Sequence, residues 1–178
     1  MEDVTSYSMG NMNTPKHMAY VLLGSNINPE QNIPKAVSLL EGQVSILQAS
    51  SIWESASADC CYPDYLNLAV LVSTPLYVNQ LKEQVLRPVE AEMGRVRTED
   101  KNASRTIDID IIIFDGVLID QELWRYVHLA VPVGELLPDF TSGEGETLQQ
   151  AARRLAQSNP IQLRDDISIK LHVSNRQE

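Results

Sequence analysis

One run limits the fold of this chain more than any other: Arg105-Thr106-Ile107-Asp108-Ile109-Asp110-Ile111-Ile112-Ile113, an isoleucine-rich stretch that carries two carboxylates. Its β-branched, apolar composition predicts a buried strand. Strand side chains alternate between faces, so Asp108 and Asp110 leave the same side roughly 7 Å apart. Ile107, Ile109 and Ile111 take the other side. Two like charges held that close on a buried element require cations, and a set of oxygen ligands with room to spare suits Mg²⁺ carrying waters and substrate phosphates. The competing reading places both aspartates at a sheet edge, facing water.

Charge is unevenly distributed along the chain. Only Lys16 and Lys35 precede Lys82, and the first arginine is Arg87. Arg95, Arg97 and Arg105 then fall close before the two aspartates, in a chain of formal net charge -10. The acidic balance, with a pI of about 4.7, excludes a surface for nucleic acid or an anionic membrane. A local cationic patch beside paired carboxylates suits a polyphosphate and its metal, because arginine forks bind phosphate oxygens while Mg²⁺ bridges others. A solvated salt-bridge network has a similar composition.

With 178 residues, 43% of them hydrophobic, the chain suffices for one well-cored domain. No stretch has the length of a membrane span and no basic leader precedes an apolar core, so a cytoplasmic protein is expected. Cys60 and Cys61 are adjacent, which disfavours a disulfide between them, and they are read as reduced loop thiols. Residues 1–17 are polar and unpatterned and are read as a flexible arm, 18–160 as the domain, and 161–178 as a tail whose packing is open.

Met18 to Leu23 predicts a strand. Asn28 and Pro29 open a helix with Ile33, Ala36, Val37 and Leu40 on its inner face, ending at Gly42. Strands are expected at Val44 to Trp53 and Tyr65 to Val72. A helix follows from Thr74-Pro75 to Gly94, facing inward with Leu81, Val85, Val89 and Met93 and kinked at Pro88. The aspartate strand, a turn at Asp115-Gly116 and an amphipathic helix over Thr147 to Gln157 complete the pattern. The order is that of an α+β, ferredoxin-like split β-α-β sheet with helices on one face.

These residues carry a resemblance. Ala19-Tyr20-Val21-Leu22-Leu23-Gly24-Ser25-Asn26, Ser50-Ser51-Ile52-Trp53-Glu54-Ser55, Pro63-Asp64-Tyr65-Leu66-Asn67, Gly94-Arg95-Val96-Arg97 and Ser104-Arg105-Thr106-Ile107-Asp108-Ile109-Asp110 resemble, in order, the motifs of the 6-hydroxymethyl-7,8-dihydropterin pyrophosphokinases. The resemblance spans about Met18 to Phe140. It implies an ATP-dependent transfer of pyrophosphate to a pterin hydroxymethyl group, releasing AMP, in folate biosynthesis. ATP and the hydroxymethyl dihydropterin are then the small-molecule partners, with no nucleic acid or membrane.

By the same resemblance, Asp108 and Asp110 would hold two Mg²⁺ ions, and Arg95, Arg97 and Arg105 would neutralise the triphosphate and the charge that grows in the reaction. Glu90 corresponds to an acidic residue near the nucleotide and His128 to a nucleotide ligand. Tyr65 would lie against the pterin ring, Asn67 would read its hydrogen-bonding edge, and Ser55 and Ala56 would supply backbone groups to it. Two departures stand out. Val127-His128, at an expected strand end, replaces the family's Pro-His, and only Leu129, Ala130 and Val131 separate it from Pro132. The loop that carries a phenylalanine and an arginine in the family is thereby shortened, leaving Tyr65 as the one aromatic residue placed beside the ring. A nucleotide- or pterin-binding relative with little transferase activity is therefore the alternative function.

Overall fold

The computed structural model describes residues 16–57, 62–95 and 104–171. Three β-strands form its centre: β1 (His17–Ser25), β4 (Tyr65–Thr74) and β5 (Asp108–Phe114), reached after α1 (Pro29–Glu41), β2 (Ser45–Ala49) and β3 (Trp53–Ser55). Between β4 and β5 lies a helix in three parts: α2 (Val78–Leu81), a π-helical turn (Lys82–Leu86) and α3 (Arg87–Glu92). After β5 come β6 (Val117–Leu118), a 3₁₀ turn (Gln121–Trp124), α4 (Val127–Leu136), α5 (Leu148–Ser158) and β7 (Ile161–Leu163). The strands form one antiparallel sheet in the order β6-β5-β1-β4-β3-β7, with β2 also paired to β4.

Alternation along the strands sends side chains to two separate cores. Val21, Leu23, Leu68, Val70, Ile107, Ile109 and Ile111 pack on one face against Ile33, Val37 and Leu40 of α1 and Leu81, Val85 and Val89 of the three-part helix. Leu22, Ala69, Ile112 and Ile113 pack on the other against Ala130 and Val133 of α4 and Leu148 and Leu155 of α5. Helices therefore cover both faces, not one. The register shift between Tyr20 and Val21 leaves Ile112 without its own partner on β1, a bulge that puts Ile112 and Ile113 on the same face. Upstream of it the alternation is regular, so Asp108 and Asp110 share the face of Leu22.

Four local expectations are revised. The strand read over Val44 to Trp53 is broken, because the Ser50 hydroxyl accepts the Ala69 N–H at 2.9 Å and Glu135 of α4 accepts the Ser51 N–H at 2.7 Å. Asn28 precedes Pro29 in a left-handed conformation (φ 41°) and does not cap α1 with its side chain. The second helix begins at Val78, beyond Thr74-Pro75. Val127-His128 opens helix α4 instead of ending a strand.

Pro88 is accommodated by the π turn. Inward residues recur every four positions from Leu81 to Met93, a spacing at which a regular α-helix drifts by about 40° per step. The wide turn, closed by the Arg87 N–H to the Lys82 carbonyl, takes up that drift and keeps Leu81, Val85 and Val89 in one core. β1 begins at His17, one residue inside the segment read as an arm, and Ile167, Ile169 and Leu171 pack on the first core.

Candidate active site

Strand register assembles a polar floor at the end of the second face that α4 and α5 leave open. Asp108 pairs with Gly24, Gly24 with Asn67, and Asn67 with Trp53; Tyr65 pairs with Ser55 one step along. Paired residues on neighbouring strands point the same way, so these side chains line one surface. Gly24 keeps its middle low: a Cβ there would come within 3.6 Å of Asn67 Oδ1 and 3.8 Å of the Tyr65 ring.

Two cavities meet on this floor. The larger, about 550 Å³, is lined by Gly24, Ser55, Ala56, Tyr65 and Asn67 and, from the side of α4, by Tyr126 and His128. The smaller, a polar cleft of about 210 Å³, is lined by Lys82, Arg87, Glu90 and Arg95. Arg105, Asp108 and Asp110 border both. The carboxylate pair therefore stands where the larger, largely apolar recess opens onto a charged one.

The charges are interlocked. Arg95 pairs with both Glu90 and Asp108, and Arg105 pairs with the other Asp108 oxygen. Glu90, 4% exposed, also accepts the Ile109 N–H at 2.9 Å, so it holds the backbone between the two aspartates. Asp110 is solvent-accessible but recessed, and among the described residues it has no ion pair. Its partial desolvation, reinforced by Asp108 and Glu90, pushes its pKa up to about 6, against the pull of Arg95 and Lys82.

Among the described residues, Glu90, Asp108 and Asp110 gather at the junction with Arg95 and Arg105, and Lys82 and Arg87 line the cleft beside them. Among the described residues no three His, Cys, Asp or Glu side chains converge to hold a metal unaided. Two aspartates with open positions for water and phosphate oxygens fit Mg²⁺, which keeps much of its hydration and is bound with substrate phosphates.

Sequence reasoning passed over Ser25 and Asn26, which position Arg105. Asn26 Oδ1 accepts the Arg105 N–H at 2.7 Å, the Arg105 carbonyl accepts the Asn26 N–H at 3.2 Å, and Ser25 Oγ donates to the Thr106 carbonyl at 2.7 Å. Their place in the Gly24-Ser25-Asn26 motif was visible; the long-range contact was not. In the larger cavity, Asn67 Nδ2 donates to Ser55 Oγ at 2.9 Å and to the Trp53 carbonyl at 3.2 Å, which turns Oδ1 toward the Gly24 floor. Burial holds the Tyr65 phenol above its ordinary pKa. His128 lines the larger cavity and not the polar cleft, with its ring stacked on Tyr126 at 5.5 Å and 25°. Burial lowers its pKa, partly opposed by Asp120. Tyr65 is thus not the only aromatic residue at the recess, because the first turn of α4 brings two more rings to it. Arg97, Cys60 and Cys61 lie outside the described residues.

Comparison with known proteins locates the chain. Residues 20–138 match the model of the 7,8-dihydro-6-hydroxymethylpterin-pyrophosphokinase family. The folic acid synthesis protein FOL1 of Dictyostelium discoideum is 31% identical over 140 residues, covering 73% of this chain and 21% of that protein. The 2-amino-4-hydroxy-6-hydroxymethyldihydropteridine pyrophosphokinase of Pseudomonas putida is 32% identical over 114 residues, covering 62% of this chain and 92% of that one. A crystal structure of wild-type Plasmodium falciparum HPPK-DHPS with pteroate shares the fold at a TM-score of 0.65 and 11% identity, covering 83% of this chain and 44% of that one. The chain thus spans about a fifth of the Dictyostelium protein and less than half of the Plasmodium one.

Proposed function

Because the chain belongs to the 7,8-dihydro-6-hydroxymethylpterin-pyrophosphokinase family, we propose that it transfers the β,γ-pyrophosphoryl group of ATP to 6-hydroxymethyl-7,8-dihydropterin and releases AMP, a step of folate synthesis. The observation that carries this reading is the meeting of the larger recess and the charged cleft at Asp108 and Asp110. The pterin lies in the recess, against Tyr65 on one side and His128 on the other. Its ring N–H and amino donors face Asn67 Oδ1, and the backbone of Ser55 and Ala56 borders its edge. The triphosphate lies in the cleft among Arg95, Arg105 and the buried Glu90.

The hydroxymethyl oxygen attacks the β-phosphorus, a new O–P bond forms, the bridge to the α-phosphorus breaks, and its oxygen leaves with AMP. The hydroxymethyl proton is released. Enzymes of this family generally use ATP with Mg²⁺. Here Asp108 and Asp110 would hold two Mg²⁺ ions, which supply neutralisation of phosphate charge. Arg95 and Arg105, tied to Asp108, would be shared with the phosphate oxygens. The chain's own contribution is positioning and charge stabilisation, the main requirements of phosphoryl transfer. His128, earlier expected at the nucleotide, belongs to the pterin side of this arrangement, and Arg97 to the nucleotide side.

The shortened loop favoured a binding protein without transfer. Tyr126 and His128 restore a wall to the recess and favour the enzyme instead. The test is AMP formation from ATP, Mg²⁺ and the hydroxymethyl dihydropterin, with Asp110→Asn alongside. Turnover that depends on Asp110 supports the transferase; binding of both substrates without AMP supports the alternative.

A further inference from the structure

Among the described residues, four cationic side chains line the polar cleft, and three of them are committed. Arg95 is shared by Glu90 and Asp108, Arg105 is paired with Asp108, and Arg87 at the rim is paired with Glu83 one helical turn back. Lys82 is the fourth. Among the described residues it forms no ion pair or hydrogen bond through its side chain, although its charge is felt at Asp110. It opens the π-helical turn, whose extra width brings this position to the cleft while Leu81 beside it stays in the core.

A polyanion entering the cleft must draw Arg95 and Arg105 partly away from carboxylates, and each such exchange offsets part of its own gain. Among the described residues Lys82 has no partner to give up. An ammonium group also suits this task, since it meets phosphate as a point charge without demanding fork geometry.

We propose that Lys82 is a further nucleotide-binding residue, whose ammonium contacts the β- or γ-phosphate of ATP at the rim of the cleft beside Asp110 and sets ground-state affinity more than rate. This rests on the pyrophosphokinase reading above. In the test, a non-transferable α,β-methylene ATP with Mg²⁺, and separately AMP, are titrated calorimetrically into the full chain and its Lys82→Gln, Lys82→Glu and Lys82→Arg variants. Lys82→Gln should weaken the triphosphate by about three- to tenfold at low salt and Lys82→Glu by more, Lys82→Arg should restore most of the affinity, and the difference should shrink as salt rises. AMP, lacking the β- and γ-phosphates, should bind all four proteins alike. In steady state the KM for ATP should move with little change in kcat. Equal triphosphate affinity in wild type and Lys82→Gln overturns the inference while leaving the pyrophosphokinase reading intact. A parallel loss for AMP overturns it too, by placing the contact at the α-phosphate or the nucleoside. Failure of the wild type to bind the triphosphate overturns both.

Discussion

At the scale of single residues, the two aspartates differ in kind. Asp108 is neutralised by two arginines, whereas Asp110 faces the junction beside two other carboxylates. Replacing either by Asn should lower AMP formation by about 10²-fold or more, since each removes charge stabilisation from the reacting phosphates. Their effects on folding should diverge. Asp108→Asn removes one carboxylate partner from each of Arg95 and Arg105 and should lower stability. Asp110 binds its proton more readily in the folded chain, near pH 6, than at the ordinary carboxylate value of 3.8. Its ionisation therefore opposes folding above about pH 6, and the opposition is relieved as pH falls from there toward 4. Asp110→Asn should unfold at a higher temperature than wild type at pH 7 to 8 in chelator-treated buffer, with the gap closing by pH 4. A gap that grows on acidification contradicts the assignment. Glu90 tests the positioning shell: Glu90→Ala should cost about 3 kcal/mol in urea unfolding, because it abandons both Arg95 and the Ile109 N–H, and Glu90→Gln should cost less.

At the scale of elements, one turn closes a hairpin away from the site and another walls the recess. The β5–β6 hairpin closes through Asp115 at φ 48° and Gly116 at φ 78°. Both lie in the left-handed region of a tight primed turn, so Gly116→Ala should cost about 1 to 2 kcal/mol of stability by chemical denaturation, with kcat unchanged at temperatures where the protein is folded. The first turn of α4 supplies the far wall of the recess. An aromatic face contributes about 0.5 to 1.5 kcal/mol beyond area burial, or roughly two- to thirteenfold in affinity. His128→Ala and Tyr65→Ala should each weaken a non-reactive pterin by that factor in calorimetric titration. Unchanged pterin affinity in both variants would place the ring elsewhere.

At the scale of the whole molecule, the C-terminal segment closes the sheet. β7 adds to the edge of β3, Ile167, Ile169 and Leu171 cover the first core, and Arg164 joins Glu30 at 2.7 Å, Glu54 at 3.0 Å and Asp166 at 2.8 Å. A chain ending at Pro160 should lose about 4 kcal/mol of stability, about 1 kcal/mol for each half-buried aliphatic side chain among Ile161, Ile167, Ile169 and Leu171. Unfolding curves of the two chains check it, and coincident curves would show that the segment is dispensable. Among the described residues no helix is long and apolar enough to cross a membrane.

What the sequence by itself determined is what local periodicity encodes. The aspartates on one strand face with Ile107, Ile109 and Ile111 on the other, the inner faces of the two early helices, the Asp115-Gly116 turn and the Thr147 start of the last helix all follow from spacing and backbone preference over a few residues. The ordered motifs carried the family as well. Only the tertiary structure decided the rest. Val127 to Leu136 is apolar almost throughout and holds Pro132, so it has no strong helical stripe, and packing on the second sheet face makes it a helix. That helix turns His128 into a wall of the recess. Asn26 on Arg105, Glu90 on Ile109 and Lys82 at the cleft join positions far apart in the chain, and a pattern read over neighbours carries no trace of a contact made only when the strands pair.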